Sequence, residues 1–226
     1  MAGTMKGLYP PDILLSPSQA IIRINELVRI YGKDRVYRES RFKKEREGAV
    51  TALFLLGFGL LEPETFWISL GQPDPPDTMA VFYKRRASDR GLEKHVRNIE
   101  IFEWEEHSSV KFVEAVQNKL LLKKYPKDFT LLCNVRRPGE NGTFEEWFKV
   151  LEKLKLNVAE VWVVGSIVDS QDDYGIFRLY PTRSHTTFNL NTRLREIEHQ
   201  PAYMREMGRG IMDEPKALGK YRIPLP

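Results

Sequence analysis

From Val158 to Val168 the chain is almost continuously apolar. A strand that keeps such a run must be covered on both faces, because every side chain then needs a hydrophobic partner. The segments before it set its surroundings. Ser109–Leu122 reads as a helix with Val113, Val116 and Leu120 on one face, and Phe129–Val135 reads as a short apolar strand. Thr143-Phe144-Glu145-Glu146 is a capping box, followed by Trp147, Val150, Leu151 and Leu154 at helical spacing. Tyr174–Tyr180 is a further strand. Strand, helix, strand in this order implies parallel neighbours with helices laid across the faces.

The upstream half has a different rhythm. Ser16-Pro17-Ser18-Gln19 starts a helix, Ile21, Ile24, Leu27, Val28 and Tyr31 form its stripe, and Gly32 stops it. A second helix is predicted from about Glu39 to Leu56, with its apolar second half deep in the core. Phe66–Leu70, Met79–Tyr83 and Val96–Trp104 read as strands. Gly71–Asp77 is a loop, since Pro73, Pro75 and Pro76 cannot feed a sheet ladder. Lys84–Lys94 reads as a basic loop. Short links between these strands imply antiparallel pairing. The predicted fold class is α/β, with a mixed central β-sheet flanked by helices.

One domain over residues 1–226 is expected, with a core over 38–180, a helical extension over 1–37 and a C-terminal extension over 181–226. In the last segment only a short helix near Thr192–His199 is predicted, with the proline-bearing tail extended on the surface. Cys133 is the single cysteine, which excludes an intrachain disulfide and a cysteine-based zinc site. The four histidines, 95, 107, 185 and 199, lack metal-ligand spacing. No serine sits in a nucleophile-elbow pattern, and Gly57-Phe58-Gly59 lacks the lysine of a phosphate loop. The apolar stretch Ala49–Leu61 is too short to span a bilayer, and the first residues lack a signal-peptide core. A cytoplasmic protein with no membrane partner is expected.

Chemistry concentrates in Asn98–Glu106. Side chains alternate along a strand, so Glu103 and Glu105 project to one side of its end. Adjacent carboxylates repel and lose hydration, so a cation, a basic partner or a proton must compensate. If Met79–Tyr83 pairs antiparallel with Val96–Trp104, Asp77 approaches both. Three oxygen ligands at a sheet edge suit Mg²⁺ or Mn²⁺.

Pro76-Asp77, then a strand, a basic loop and a strand carrying Glu103-x-Glu105, resembles the core of the PD-(D/E)xK restriction-endonuclease-like nucleases. The order also fits, with a helix bearing Glu45 and Glu47 beforehand, and helix Ser109–Leu122 and strand Phe129–Val135 after. The resemblance covers roughly Arg38 to Val135. It implies a Mg²⁺-dependent endonuclease hydrolysing phosphodiester bonds in nucleic acid, with DNA the expected substrate. Asp77, Glu103 and Glu105 would be catalytic. Asp77 and Glu103 would hold metal, with Glu45 or Glu47 as the auxiliary helix acid. One departure is that Glu105 stands where the family usually has lysine. Lys111 or Lys119 could approach from the next helix.

The basic segment Lys84, Arg85, Arg86, Arg90 and Lys94 is expected to hold phosphates beside the acids. Two other readings stay open. One is a catalytically inactive nucleic-acid-binding or assembly subunit with a nuclease-like fold, which the missing lysine favours. The other is an interaction subunit that docks through exposed Tyr9, Trp147 and Tyr221 and the tail. A homodimer or a protein-complex partner fits either.

Overall fold

The computed structural model describes residues 9–71, 75–87, 91–104, 110–123, 125–135, 143–167, 172–206, 216–218 and 223. In chain order the elements are β1 (Ile13–Leu15), α1 (Pro17–Tyr31), α2 (Lys33–Arg38), a 3-10 turn (Ser40–Phe42) and α3 (Lys43–Leu61). Then come β2 (Trp67–Ser69), β3 (Thr78–Arg85), β4 (Leu92–Trp104), α4 (Phe112–Leu122), β5 (Phe129–Val135), α5 (Phe144–Leu151) and β6 (Glu160–Ser166). The chain closes with β7 (Asp173–Tyr180), β8 (Ser184–Asn189), α6 (Leu190–Glu196), β9 (Tyr203–Arg205) and β10 (Lys216–Ala217).

Among the described residues the strands form one sheet of ten, ordered β10-β9-β1-β2-β3-β4-β5-β6-β7-β8. It is mixed as predicted: β2, β3 and β4 are antiparallel, whereas β4, β5 and β6 run parallel. The parallel links are the α4 and α5 crossovers, which is why β5 and β6 are largely apolar on both faces. In β5, Leu131, Cys133 and Val135 pack with Phe112, Trp147 and Leu151 of α4 and α5. Leu132 points the other way, into the core under α1 and α3.

α3 is the central helix of that second face. Phe54 and Phe58, one turn apart, each pack edge-on against Trp162 of β6 at 5.2 and 5.5 Å between centroids. A Cβ at Gly57 would lie 2.9 Å from the Phe188 ring and 3.1 Å from Ile176 Cγ1 and Cγ2, so glycine permits α3 to press onto β7 and β8. Helix α1 begins at Ser16, whose Oγ accepts the Gln19 N–H at 3.1 Å, and stops at Gly32, with φ 84°. The Thr143 capping box is also formed.

Several expectations are corrected. The predicted basic loop is largely a hairpin, with Lys84 and Arg85 in β3 and Lys94 in β4. The polar segment Ser184–Asn189, in a region where the sequence predicts only a short helix, is strand β8, because it pairs along β7. Described parts of 1–37 and 181–226 join the sheet and core. β1 pairs with β9 inside the sheet, and the Ile223 carbonyl accepts a hydrogen bond from buried Arg23 at 2.8 Å. Tyr9 and Trp147 are buried, not exposed, and so cannot form a docking surface in this state. Tyr221 lies outside the described residues. No helix among the described residues is long and apolar enough to cross a membrane.

Candidate functional site

Asp77 ends the proline loop just before β3, where Thr78 pairs with Ile99 of β4. Its Oδ2 accepts the backbone N–H of Ile101 at 2.8 Å, which fixes the carboxylate against β4. Its Oδ1 lies 3.5 Å from Lys43 Nζ in the first turn of α3. The same ammonium lies 3.2 Å from Glu47 Oε1, one helical turn on. Lys44 adds a contact of 3.1 Å to Glu47 Oε2 and donates to the Asp77 carbonyl at 2.7 Å. The Asp77 and Glu47 side chains are only 5% and 7% exposed, so this is a near-dry acid pair held by two lysines.

Burial, and then the charge of Asp77, push the Glu47 carboxyl up to about 7, against the pull of Lys44 and Lys43. Glu47 Oε2 is buried and faces the Lys44 ammonium at 3.1 Å. The acids line a cavity of about 240 Å³ together with Glu100, Glu103 and Lys119.

Glu100 is the acid that sequence reasoning passed over. Its Oε1 receives Lys119 at 2.9 Å, Lys123 at 3.0 Å and the Tyr125 hydroxyl at 2.9 Å. Burial opposes its ionisation, but Lys119, Lys123 and Tyr125 together hold its pKa below the ordinary carboxylate value. Its signal was present in the alternation, since Glu100 shares a strand face with Phe102 and Trp104 and an acid there needs a cation. The Lys43–Glu47 pair was likewise readable as an i,i+4 spacing.

The predicted site residues divide. Asp77 and Glu103 line the same cavity, Glu103 as an exposed side chain at its rim. Glu105 and Arg90, like His107, lie outside the described residues. Glu45 is not in the cavity. It faces the opposite side of α3, accepts the Tyr9 hydroxyl at 2.9 Å and lies 3.8 Å from Arg23. Helical geometry decides this: Glu45 and Glu47 are two residues apart, so they point in widely different directions. Glu47 is therefore the helix acid of the site. Lys119, the lysine sought from the following helix, does reach the cavity, and its Nζ is 3.5 Å from the Ile101 carbonyl.

The expectation that Lys84, Arg85, Arg86 and Lys94 lie beside the acids is corrected by the strand direction. They stand at the opposite end of the β3–β4 hairpin from Asp77, roughly 20 Å along the strand. Lys84 pairs there with Glu64 at 3.0 Å, and Lys94 with Glu206 at 2.7 Å. Cations nearer the acids are Lys43, Arg46, Lys119 and Lys123, all lining the cavity.

Among the described residues no three His, Cys, Asp or Glu side chains converge closely enough to hold a metal ion by themselves. The expected trio Asp77, Glu103 and Glu45 is thus not formed. Magnesium does not require a protein cage, however. It is usually bound through one or two carboxylates, with waters and substrate phosphates completing the shell. Glu47 and Asp77 are such a pair, each already facing a lysine ammonium. Lys43 occupies the cation position between them, yet its side chain is 51% exposed on a flexible stem. A hard divalent ion at this pair would have to displace the Lys43 ammonium from both carboxylates.

Comparison of the chain with family models, with curated proteins and with solved structures finds no match.

Proposed function

We propose that the chain is a divalent-metal-dependent nuclease that hydrolyses phosphodiester bonds in nucleic acid. The observation that carries this reading is the buried pair Glu47 and Asp77, brought together from a helix and a strand start over a cavity shared with Glu103 and Lys119. The order helix α3, antiparallel β2–β3–β4, crossover α4 and parallel β5 supports the restriction-endonuclease-like core that the sequence resembles.

Glu47 and Asp77 would hold the magnesium ion, which when bound acidifies a water and neutralises charge on the phosphate. Ile101 keeps the Asp77 carboxylate aimed through its backbone N–H. Glu103, at the cavity rim, offers a carboxylate to take the proton of the attacking water. Lys119 presents an ammonium toward negative charge developing on the phosphoryl oxygens, in the role the family usually gives to the lysine that Glu105 replaces.

The test is incubation of labelled single-stranded and duplex oligonucleotides with the protein and Mg²⁺ or Mn²⁺. Cleavage that requires the metal, and that falls at least 100-fold in Asp77→Asn and in Lys119→Met, supports the reading, since losing one charge-stabilising group costs about 10²–10³ in rate. Cleavage that persists in Asp77→Asn removes the assignment.

A second reading is a nuclease-like module that binds nucleic acid without cutting it. The Lys43 ammonium already neutralising Glu47 and Asp77 favours it. Salt-sensitive binding with no product in any divalent metal would select it.

A further inference from the structure

Beyond the acid cavity lies a larger groove of about 800 Å³. It runs over the C-terminal ends of the parallel strands, past Glu103 of β4, Asn134 and Val135 of β5, and Gly165 and Ser166 of β6. Its other wall is α2 and α3. Tyr37, Arg46, Val50 and Glu103 line both hollows, so the groove opens directly onto the acids. Ligands of open α/β sheets collect at this end of the strands, where crossover helices leave a crevice.

The chemistry along the groove is that of a polyanion with aromatic parts. Lys33 and Arg38 are exposed on α2, and Arg46 projects from α3. Arg46 is preset by donating Nη1 to the Val36 and Glu39 carbonyls at 2.7 and 2.8 Å, which also fixes the α2–α3 corner. Asp34 and Glu103 are the acids of the groove, so its lining carries more positive than negative charge. Tyr37 lies at the junction with the acid cavity and is 39% exposed. Tyr174 of β7 lines the same groove and is backed by Phe188, with 6.0 Å between ring centroids.

We infer that this groove is a track for a single strand of nucleic acid, with Lys33, Arg38 and Arg46 along the phosphates and Tyr37 as a stacking platform beside the acids. The inference rests on the nuclease reading of the same site and names its substrate class. Cationic grooves with aromatic platforms bind single strands because an unpaired base exposes its face, whereas a duplex keeps its bases stacked on each other. The cations of the β3–β4 hairpin stand at the other end of the strands and take no part.

The experiment is fluorescence anisotropy with a labelled dT20 oligonucleotide and a matched 20-base-pair duplex, in EDTA so that nothing is cut. The wild-type protein should bind dT20 at least tenfold more tightly than the duplex. Tyr37→Ala should weaken dT20 binding about fivefold or more, as loss of one stacking platform does. Lys33→Glu with Arg38→Glu should weaken it further and flatten its salt dependence. Lys84→Ala should leave it unchanged. Equal or tighter binding of the duplex overturns the inference, as does dT20 affinity that is indifferent to Tyr37→Ala and to the α2 charge reversal. Circular dichroism of each variant establishes that it is folded. Metal-dependent cleavage read separately distinguishes the two claims: binding that obeys these rules without cleavage sinks the nuclease and keeps the groove, and cleavage with groove-independent binding does the reverse.

Discussion

Ile101 donates its backbone N–H to Asp77 Oδ2 at 2.8 Å. The bond ties the loop before β3 to the C-terminal part of β4, and it places the acid within reach of Lys43 on α3. Three elements distant in sequence thereby meet at one carboxylate, and the consequences are measurable.

Glu47 gives the clearest pH signature. The folded protein keeps its proton up to about pH 7, whereas an unfolded chain releases it near the ordinary carboxylate value of 4.5. The native state thus binds more protons across that window, and stability falls as pH rises through it. The penalty above pH 7 is on the order of 3 kcal/mol. Glu47→Gln removes the charge and should be more stable than wild type at pH 8, with the difference shrinking toward pH 4.5. Urea titrations at several pH values measure this, and parallel pH profiles for the two proteins would contradict it.

Magnesium should reverse that penalty. A divalent ion favours the ionised carboxylate, so added Mg²⁺ should raise Tm more at pH 8 than at pH 5. Asp77→Asn keeps an oxygen acceptor for the Ile101 N–H and should fold, within about 1 kcal/mol of wild type. It should lose the Mg²⁺-dependent rise. A rise of equal size in the variant would place the ion elsewhere.

Glu47 faces the acid cavity, whereas Glu45 faces the core. It is 1% exposed as a side chain, receives Tyr9 and faces Arg23, which in turn holds the Ile223 carbonyl. Removing one member leaves a buried charge unmatched. Arg23→Ala should cost about 3–5 kcal/mol and loosen both chain ends. Hydrogen exchange at β1 and β9 reports the loosening. Glu45→Gln should lower Tm yet leave the Mg²⁺ response intact, opposite to Asp77→Asn.

The seat of α3 on the sheet depends on Gly57. In Gly57→Ala the new methyl meets the Phe188 ring and Ile176, both part of the core. A loss of about 1–3 kcal/mol is expected from overpacking, read as a lower midpoint in urea. Unchanged stability would mean that α3 shifts freely across β7 and β8.

The fold class was legible because the apolar pattern is dense where the chain is parallel. β5 and β6 lie between two layers of helices, so their residues must be apolar on both faces, and the caps at Ser16 and Thr143 mark the helix starts. β1, β8 and β9 were not legible. They are short or lie near an edge, and β8 carries Ser184, His185, Thr186 and Thr187, whose placement comes from pairing with β7 and not from hydrophobicity. The site was half legible. Asp77 and Glu103 follow from antiparallel pairing. The choice of Glu47 over Glu45 depends on the rotation of α3 about its axis, and α3 is apolar on so many sides that its pattern does not fix a buried face. The hairpin cations misled because nearness in sequence to the acids becomes distance along a strand.

The most direct measurement is anomalous diffraction from crystals soaked in Mn²⁺. The account predicts one peak between the Glu47 and Asp77 carboxylates, with the Lys43 ammonium displaced from both. Density that shows Lys43 still bridging the two acids at saturating Mn²⁺, with no peak beside them, would contradict it.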